Sequence, residues 1–295
     1  MPGRPKNVSL VLGSGGARGH AHIGVIRALE QRDLKVRSIA GTSMGAVIGG
    51  IYAAGKLDTY VRWAMQLRKS DVVRLLDFSF TRTSLFKGER IIDVLKDLIG
   101  DRRIEDLPVA FTAVATAIEE QREVWLNKGS LFTAIKASIA VPGVFSPVIV
   151  DDRLLVDGGL INPIPMAPTL NDANDITIAV NLAGTTEHYR PQAKETDDMP
   201  AKEDEGYRAA IGRFVSGLLE TNSDSDQPPG AMDLLTKSFD VMQGSISRLK
   251  LAAYAPDIVI DVPRDACSFF EFHRAEEMAA LGFRKAVAAL ENAEL

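Results

Sequence analysis

Three short stretches of the 295-residue chain hold groups that could do chemistry together. The first is Gly41-Thr42-Ser43-Met44-Gly45, a Gly-x-Ser-x-Gly pattern. A sharp strand-to-helix turn lifts such a serine hydroxyl off the end of a sheet, and the flanking glycines relieve crowding where the backbone folds tightly. The helix start behind it supplies unpaired N–H groups that favour developing negative charge. The same five residues also suit a plain tight turn. The second stretch, Gly13-Ser14-Gly15-Gly16-Ala17-Arg18-Gly19, is a glycine-rich turn whose backbone N–H groups can converge on an anion. A dinucleotide fingerprint from Gly13 would need glycine where Arg18 stands, and a phosphate loop would need Lys-Ser or Lys-Thr where Gly19-His20 stands. An oxyanion hole, with donors at Gly15 and Gly16, is the third reading. The third stretch is Asp157-Gly158-Gly159, where an acid is followed by two residues that let another group approach. Asp-Gly after a hairpin is also an ordinary turn.

A serine nucleophile needs a base. The chain has four histidines, His20, His22, His188 and His273, and none stands in a setting that marks it as one. All four read as surface or packing residues. Asp157 is the better candidate, although an aspartate with a reference pKa near 3.9 is a weak base unless it is shielded from water.

The elements that must position these groups alternate. Residues 8–12 read as a strand, 20–32 as a helix, 36–40 as a strand and 46–54 as a small-residue helix. That order implies a parallel sheet with right-handed crossovers. Residues 56–105 look mostly helical, 109–116 and 123–126 read as strands, and 131–140 as a helix. Residues 148–150 and 154–156 flank Asp151-Asp152 as a hairpin. A strand follows at 176–182, a helix at 231–252, a strand at 257–262 and a last helix at 272–290.

Residues 195–205 hold six acids and one lysine and read as a surface loop. Tyr207, Ile211, Phe214, Val215 and Leu218 share one helical face, a candidate interfacial helix that equally suits core packing. Residues 222–230 break structure at Pro228-Pro229.

Composition excludes several classes. With 34 basic and 39 acidic residues the net charge is −5, which argues against a nucleic-acid partner. The lone cysteine, Cys267, rules out an internal disulfide and a cysteine zinc site, and suits a reducing compartment. The apolar run at 8–12 is too short for a signal-peptide core, and no run approaches the roughly 20 apolar residues of a spanning helix. A cytoplasmic protein, at most peripheral on the inner membrane face, is expected.

In this order the three motifs resemble the patatin-like phospholipase family, whose pattern is a glycine-rich oxyanion loop, then Gly-x-Ser-x-Gly, then Asp-Gly-Gly or Asp-Gly-Ala. Residues 22–25 and 138–147 also look like family elements, and the resemblance spans about residues 7–185. It implies an α/β fold, a three-layer α/β/α sandwich with a mainly parallel central sheet, as one acyl hydrolase domain over 7–295. Residues 186–252 would form a lid-like insertion before the final strand and helix. It implies a Ser–Asp dyad of Ser43 and Asp157 without a catalytic histidine. It implies an oxyanion hole of Gly15, Gly16 and Met44 N–H groups, with Arg18, Gly19, Gly41, Gly45, Gly158 and Gly159 in support. No metal or other cofactor is implied. The expected partner is a lipid ester, phospholipid or lysophospholipid, with room for peripheral membrane contact and for a homo-oligomer. A thioesterase or general carboxylesterase would use the same dyad, and a low-turnover regulatory protein could share the fold. Ser14 departs from the strict family loop, which has glycine there.

Overall fold

A computed structural model of the chain describes residues 6–75, 84–189 and 231–295. The acidic stretch at 195–205, the amphipathic stretch from Tyr207 to Leu218 and the break at 222–230 lie outside the described residues.

The first strand, β1 (Asn7–Leu12), runs into a tight helical turn at Gly16–His20 and then α1 (Ala21–Gln31). Next come β2 (Lys35–Thr42), α2 (Met44–Ala53), α3 (Leu57–Ala64), α4 (Lys69–Leu75), β3 (Ser84–Phe86) and α5 (Glu89–Ile99). They are followed by β4 (Ala110–Ala117), β5 (Arg122–Leu126), α6 (Leu131–Ser138), β6 (Gly143–Phe145), β7 (Val148–Val150), β8 (Arg153–Asp157) and β9 (Ile176–Gly184). The chain closes with α7 (Ala231–Tyr254), β10 (Ile258–Pro263) and α8 (Ala275–Asn292).

The main sheet runs β10-β9-β1-β2-β4-β8-β7, with β5 also paired to β4. β10, β9, β1, β2 and β4 are parallel, as buried strands joined by helices must be. β5, β8 and β7 join antiparallel. The β7–β8 hairpin turns at Asp151-Asp152, both with positive φ, the backbone shape that suits a two-residue hairpin. A separate pair, β3 with β6, was not read from the sequence.

The sheet has two covered faces. On one, Leu10, Leu12, Ile39 and Ile178 pack under α1, α2 and α8. On the other, Val11 and Ala179 meet Ile164, Met166 and the α7 residues Leu251 and Tyr254. This is a three-layer α/β/α sandwich, and α7 is the long helix of its second face. The last helix belongs with the first. A Cβ on Gly24 of α1 would run into the Ala279 carbonyl, and one on Gly282 of α8 into the Ala21 carbonyl. Only glycine lets the two backbones cross that closely.

Candidate active site

The pairings of β4 place the serine turn and the acid end to end. Thr42 of β2 lies opposite Val114, and Asp157 of β8 lies opposite the next residue, Ala115. β5 occupies the other side of Ala113 to Ala117. β2 and β8 must therefore sit on the same side of β4, with their C-terminal ends meeting. Ser43 leaves the end of one and Asp157 closes the other.

Ser43 stands between β2 and α2 with φ 56° and ψ −123°. A non-glycine residue at such a φ is strained, and strain of this kind persists only where the surroundings over-determine it. They do so here. A Cβ on Gly45 would strike the Leu12 carbonyl oxygen of β1, so α2 can start this close to the sheet only with glycine. The Ser43 N–H is fixed by Ser138 Oγ at 2.9 Å, and Ser138 in turn donates to the Val114 carbonyl at 2.6 Å. Ser138, fully buried at the end of α6, thus clamps the turn to β4.

Asp157 is fully buried. Its Oδ1 accepts the Gly159 N–H at 2.6 Å, while its Oδ2 has no hydrogen-bond partner among the described residues. Burial raises its pKa to about 7, with the Ser43 side chain and the Gly159 N–H pulling in the other direction. Ser43 is thus close enough to favour the carboxylate, yet no fully formed hydrogen bond joins the two side chains. Hydrogen bonds between a nucleophile and its base are often long before substrate binds. An acid with a pKa near 7 is a far better proton acceptor at neutral pH than a free aspartate.

The glycine-rich loop is held from outside itself. Ser14 N–H donates to the Pro163 carbonyl at 2.8 Å, and Ala17 N–H to the Phe269 carbonyl at 2.9 Å. Between them, no hydrogen bond among the described residues engages the N–H of Gly15 or Gly16. Gly16 has φ +56° and lines the cavity beside Ser43. The Met44 N–H at the first turn of α2 is likewise without a partner among the described residues. Gly15 and Gly16 are the donors that the glycine-rich motif offers, and Met44 is the one that the family resemblance adds.

Arg18 is buried and makes three bonds: to the Gly15 carbonyl at 3.1 Å, the Arg264 carbonyl at 2.7 Å and Asp240 at 2.7 Å. Its guanidinium braces the loop against α7 and the end of β10 instead of standing open beside it. Gly19 lies against the Met44 side chain, and Gly158 against the Val114 carbonyl and Thr42. Gly41 packs on the Gly45 backbone.

Sequence reasoning missed two further residues. Gln243 of α7 is buried and donates to Ser14 Oγ at 3.0 Å. The serine that departs from the glycine pattern therefore has its own partner, 229 residues along the chain. Ser138 is the other. It belongs to the 138–147 segment, but nothing there signals a bond to a turn 95 residues earlier.

None of the described histidines hydrogen-bonds to Ser43 or Asp157. His20 Nε2 shares a hydrogen bond with Tyr60 at 3.0 Å, and His22 Nε2 donates to the Gly13 carbonyl at 2.8 Å. Burial holds both rings neutral, with pKa values lowered to about 4. His188 sits in a loop and His273 in the short turn Phe272–Arg274.

Beside Ser43 lies a narrow apolar cavity of ≈ 80 Å³, walled by Met44, Tyr60, Trp63, Leu95, Val141 and Phe269 among others. A larger hollow of ≈ 630 Å³ lies around Arg102, Arg103 and Asp106, is more polar, and has no part of the serine in its wall. The apolar cavity, unlike the larger hollow, borders Ser43. No group of metal-binding side chains occurs among the described residues.

The family model for patatin-like phospholipases matches residues 10–170, which include all three motifs. The chain belongs to the patatin-like phospholipase family. It is 39% identical to an uncharacterized NTE family protein of Mycobacterium tuberculosis, over 98% of this chain and 92% of that protein. It is 28% identical to the lysophospholipase nte1 of Emericella nidulans, over 94% of this chain but 18% of that protein. It is 33% identical to patatin-like phospholipase domain-containing protein 7 of Rattus norvegicus, over 61% of this chain and 14% of that protein. Family membership makes this patatin-like chain a lipid ester hydrolase. No helix among its described residues is long and apolar enough to cross a membrane.

Proposed function

We propose that the protein is a serine acyl hydrolase that cleaves carboxylic esters of lysophospholipids or phospholipids through a Ser43–Asp157 dyad. The observation that carries this reading is the end-to-end meeting of β2 and β8, which sets a strained serine against a buried carboxylate with a free oxygen. Ser43 Oγ attacks the ester carbonyl carbon while Asp157 takes its proton. The carbonyl oxygen becomes an oxyanion held by the Gly15, Gly16 and Met44 N–H groups. As the tetrahedral centre collapses, the ester C–O bond breaks and Asp157 returns the proton to the leaving alcohol. A water then gives a proton to Asp157 and attacks the acyl group. Ser43 leaves with that proton, and the free fatty acid departs.

The apolar lining of the cavity suits an acyl chain, which supports a lipid ester as substrate. So does the name of the Emericella relative. The test is turnover of p-nitrophenyl esters and of lysophospholipid and phospholipid micelles by wild type, Ser43→Ala and Asp157→Asn. Both variants should lose at least about 10³-fold in kcat/KM, and Ser43→Ala should lose labelling by a fluorophosphonate. Activity that survives Ser43→Ala would overturn the nucleophile. Folded wild type with neither turnover nor labelling would favour a regulatory protein on the same fold.

A further inference from the structure

The backbone of Asp157 is secured by its neighbours. Its N–H donates to the Ala140 carbonyl at 2.9 Å, and its carbonyl accepts from Thr116 Oγ1 at 3.0 Å. Its carboxylate hangs on less. The Gly159 N–H donates to Oδ1 at 2.6 Å, and no other fully formed hydrogen bond reaches the carboxylate among the described residues. The acid is therefore only as well aimed as Gly159, and a glycine backbone is freer than any other.

Two side chains remove that freedom. A Cβ on Gly159 would stand 2.2 Å from Gln243 Nε2, 2.9 Å from Ser14 Oγ and 2.9 Å from Asp157 Oδ1. The amide and the hydroxyl thus close on the bare face of the glycine, and they are joined to each other by the bond from Gln243 Nε2 to Ser14 Oγ at 3.0 Å. Both residues are buried. Gln243 lies one turn beyond Asp240 on α7, so the helix that ties down Arg18 also sets the depth of this amide. A buried amide costs free energy unless it is paired, and this one is paired with the loop that carries Gly15 and Gly16. Gln243 therefore stands between the two halves of the site, touching the loop through Ser14 and the acid through Gly159.

We propose that Gln243 is a positioning residue for Asp157: with Ser14 it wedges Gly159, so that Oδ1 stays on the Gly159 N–H and Oδ2 stays available to Ser43. The task of the acid rests on the Ser–Asp reading, but its placement does not. No residue of α7 is among those that line the cavity beside Ser43, so Gln243 acts on the acid and not on the substrate.

The placement is measured without turnover, by heteronuclear NMR on the full chain carrying isotope-labelled glycine. The Gly159 signal is the one that Gly159→Ala removes, and its short bond to a carboxylate should set it far downfield. In Gln243→Ala it should move upfield, and its hydrogen exchange should quicken by at least about tenfold. Gln243→Met keeps the bulk and loses the donor. It should shift the signal the same way by less, and it serves if the alanine variant does not fold. An unmoved Gly159 signal in a folded variant would overturn the proposal whatever the activity.

Kinetics on a soluble ester separate positioning from packing. Gln243→Ala should lower kcat by at least about tenfold and leave KM within about twofold. Gly159→Ala already displaces the amide, so Gly159→Ala with Gln243→Ala should lose no more kcat than Gly159→Ala alone. Losses that multiply, or a loss confined to KM, would also overturn the proposal. Activity that survives Ser43→Ala would remove the acyl-hydrolase reading instead, and the Gly159 signal would still decide whether Gln243 places Asp157.

Discussion

Two strand-to-helix turns stand side by side at the ends of β1 and β2, and they are held in opposite ways. The serine turn is built largely from its own five residues. Gly45 lets α2 begin against β1, Ser43 takes the strained conformation, and one outside hydroxyl, Ser138, clamps it. The glycine-rich loop has no such autonomy. Its backbone is pinned by Pro163, Val180 and Phe269, and its side chains by Arg264, Asp240 and Gln243. A compact motif can fix the proposed nucleophile locally, while the geometry of the proposed anion donors depends on much of the molecule.

The contrast can be broken at several points. The largest effect is expected at Asp157, against which the serine turn is set. Its raised pKa means that between about pH 4 and pH 7 the folded protein holds a proton that the unfolded chain has released. Stability should fall as pH rises through that window and level off above it. Asp157→Asn, which mimics the protonated acid, should be more stable than wild type above pH 7 by up to about 4 kcal/mol, with little difference at pH 4. Urea unfolding at pH 4.5 and pH 8 measures this, and an equal gap at both would discredit the assignment. For the same reason wild-type kcat/KM on a soluble ester should climb with pH and reach its plateau above an apparent pKa near 7.

Next is the serine turn itself. Gly45→Ala puts a methyl group into the Leu12 carbonyl and should cost about 3 kcal/mol or leave the protein insoluble. A shift in urea midpoint worth less than about 1 kcal/mol would mean that the turn is not sterically fixed.

On the loop, Arg18→Ala removes three bonds and leaves Asp240 without its cation, so a loss of about 2 kcal/mol is expected. Its kcat/KM should fall more than that of a surface arginine variant such as Arg62→Ala. Equal losses would mean that Arg18 does not brace the loop.

The smallest effect sharpens the comparison most. A double-mutant cycle on Ser14→Ala and Gln243→Ala should show a coupling of about 1 kcal/mol in kcat/KM, with each single variant folded. Additive losses would mean that α7 does not shape the loop.

Much of the fold was legible because its signals are local. The βαβα opening, the small-residue helix behind Ser43 and the hairpin at Asp151-Asp152 each show in fewer than about ten residues of pattern. The strands β3 and β6 have three residues each, too few for any periodicity, so β3 hides in a stretch that reads as mostly helical over 56–105 and β6 falls between the helix at 131–140 and the hairpin at 148–156. The three motifs were legible for the same reason as the fold. That Asp157 would lie end to end with β2 was not, because it depends on which side of β4 the antiparallel β8 joins. Ser14 looked like a defect in a glycine pattern, and only its bond to Gln243 shows it as one half of a pair.

The reach of those loop partners has a consequence for how the chain is made. Residues 13–19 leave the ribosome well before Phe269, whose carbonyl fixes Ala17. Contacts this distant in sequence form late and slowly, after much chain has been ordered. A nascent polypeptide that already contains Ser43 and Asp157 carries the proposed nucleophile and its proposed proton acceptor. It lacks the brackets that shape the proposed anion donors until the chain up to Phe269 has emerged.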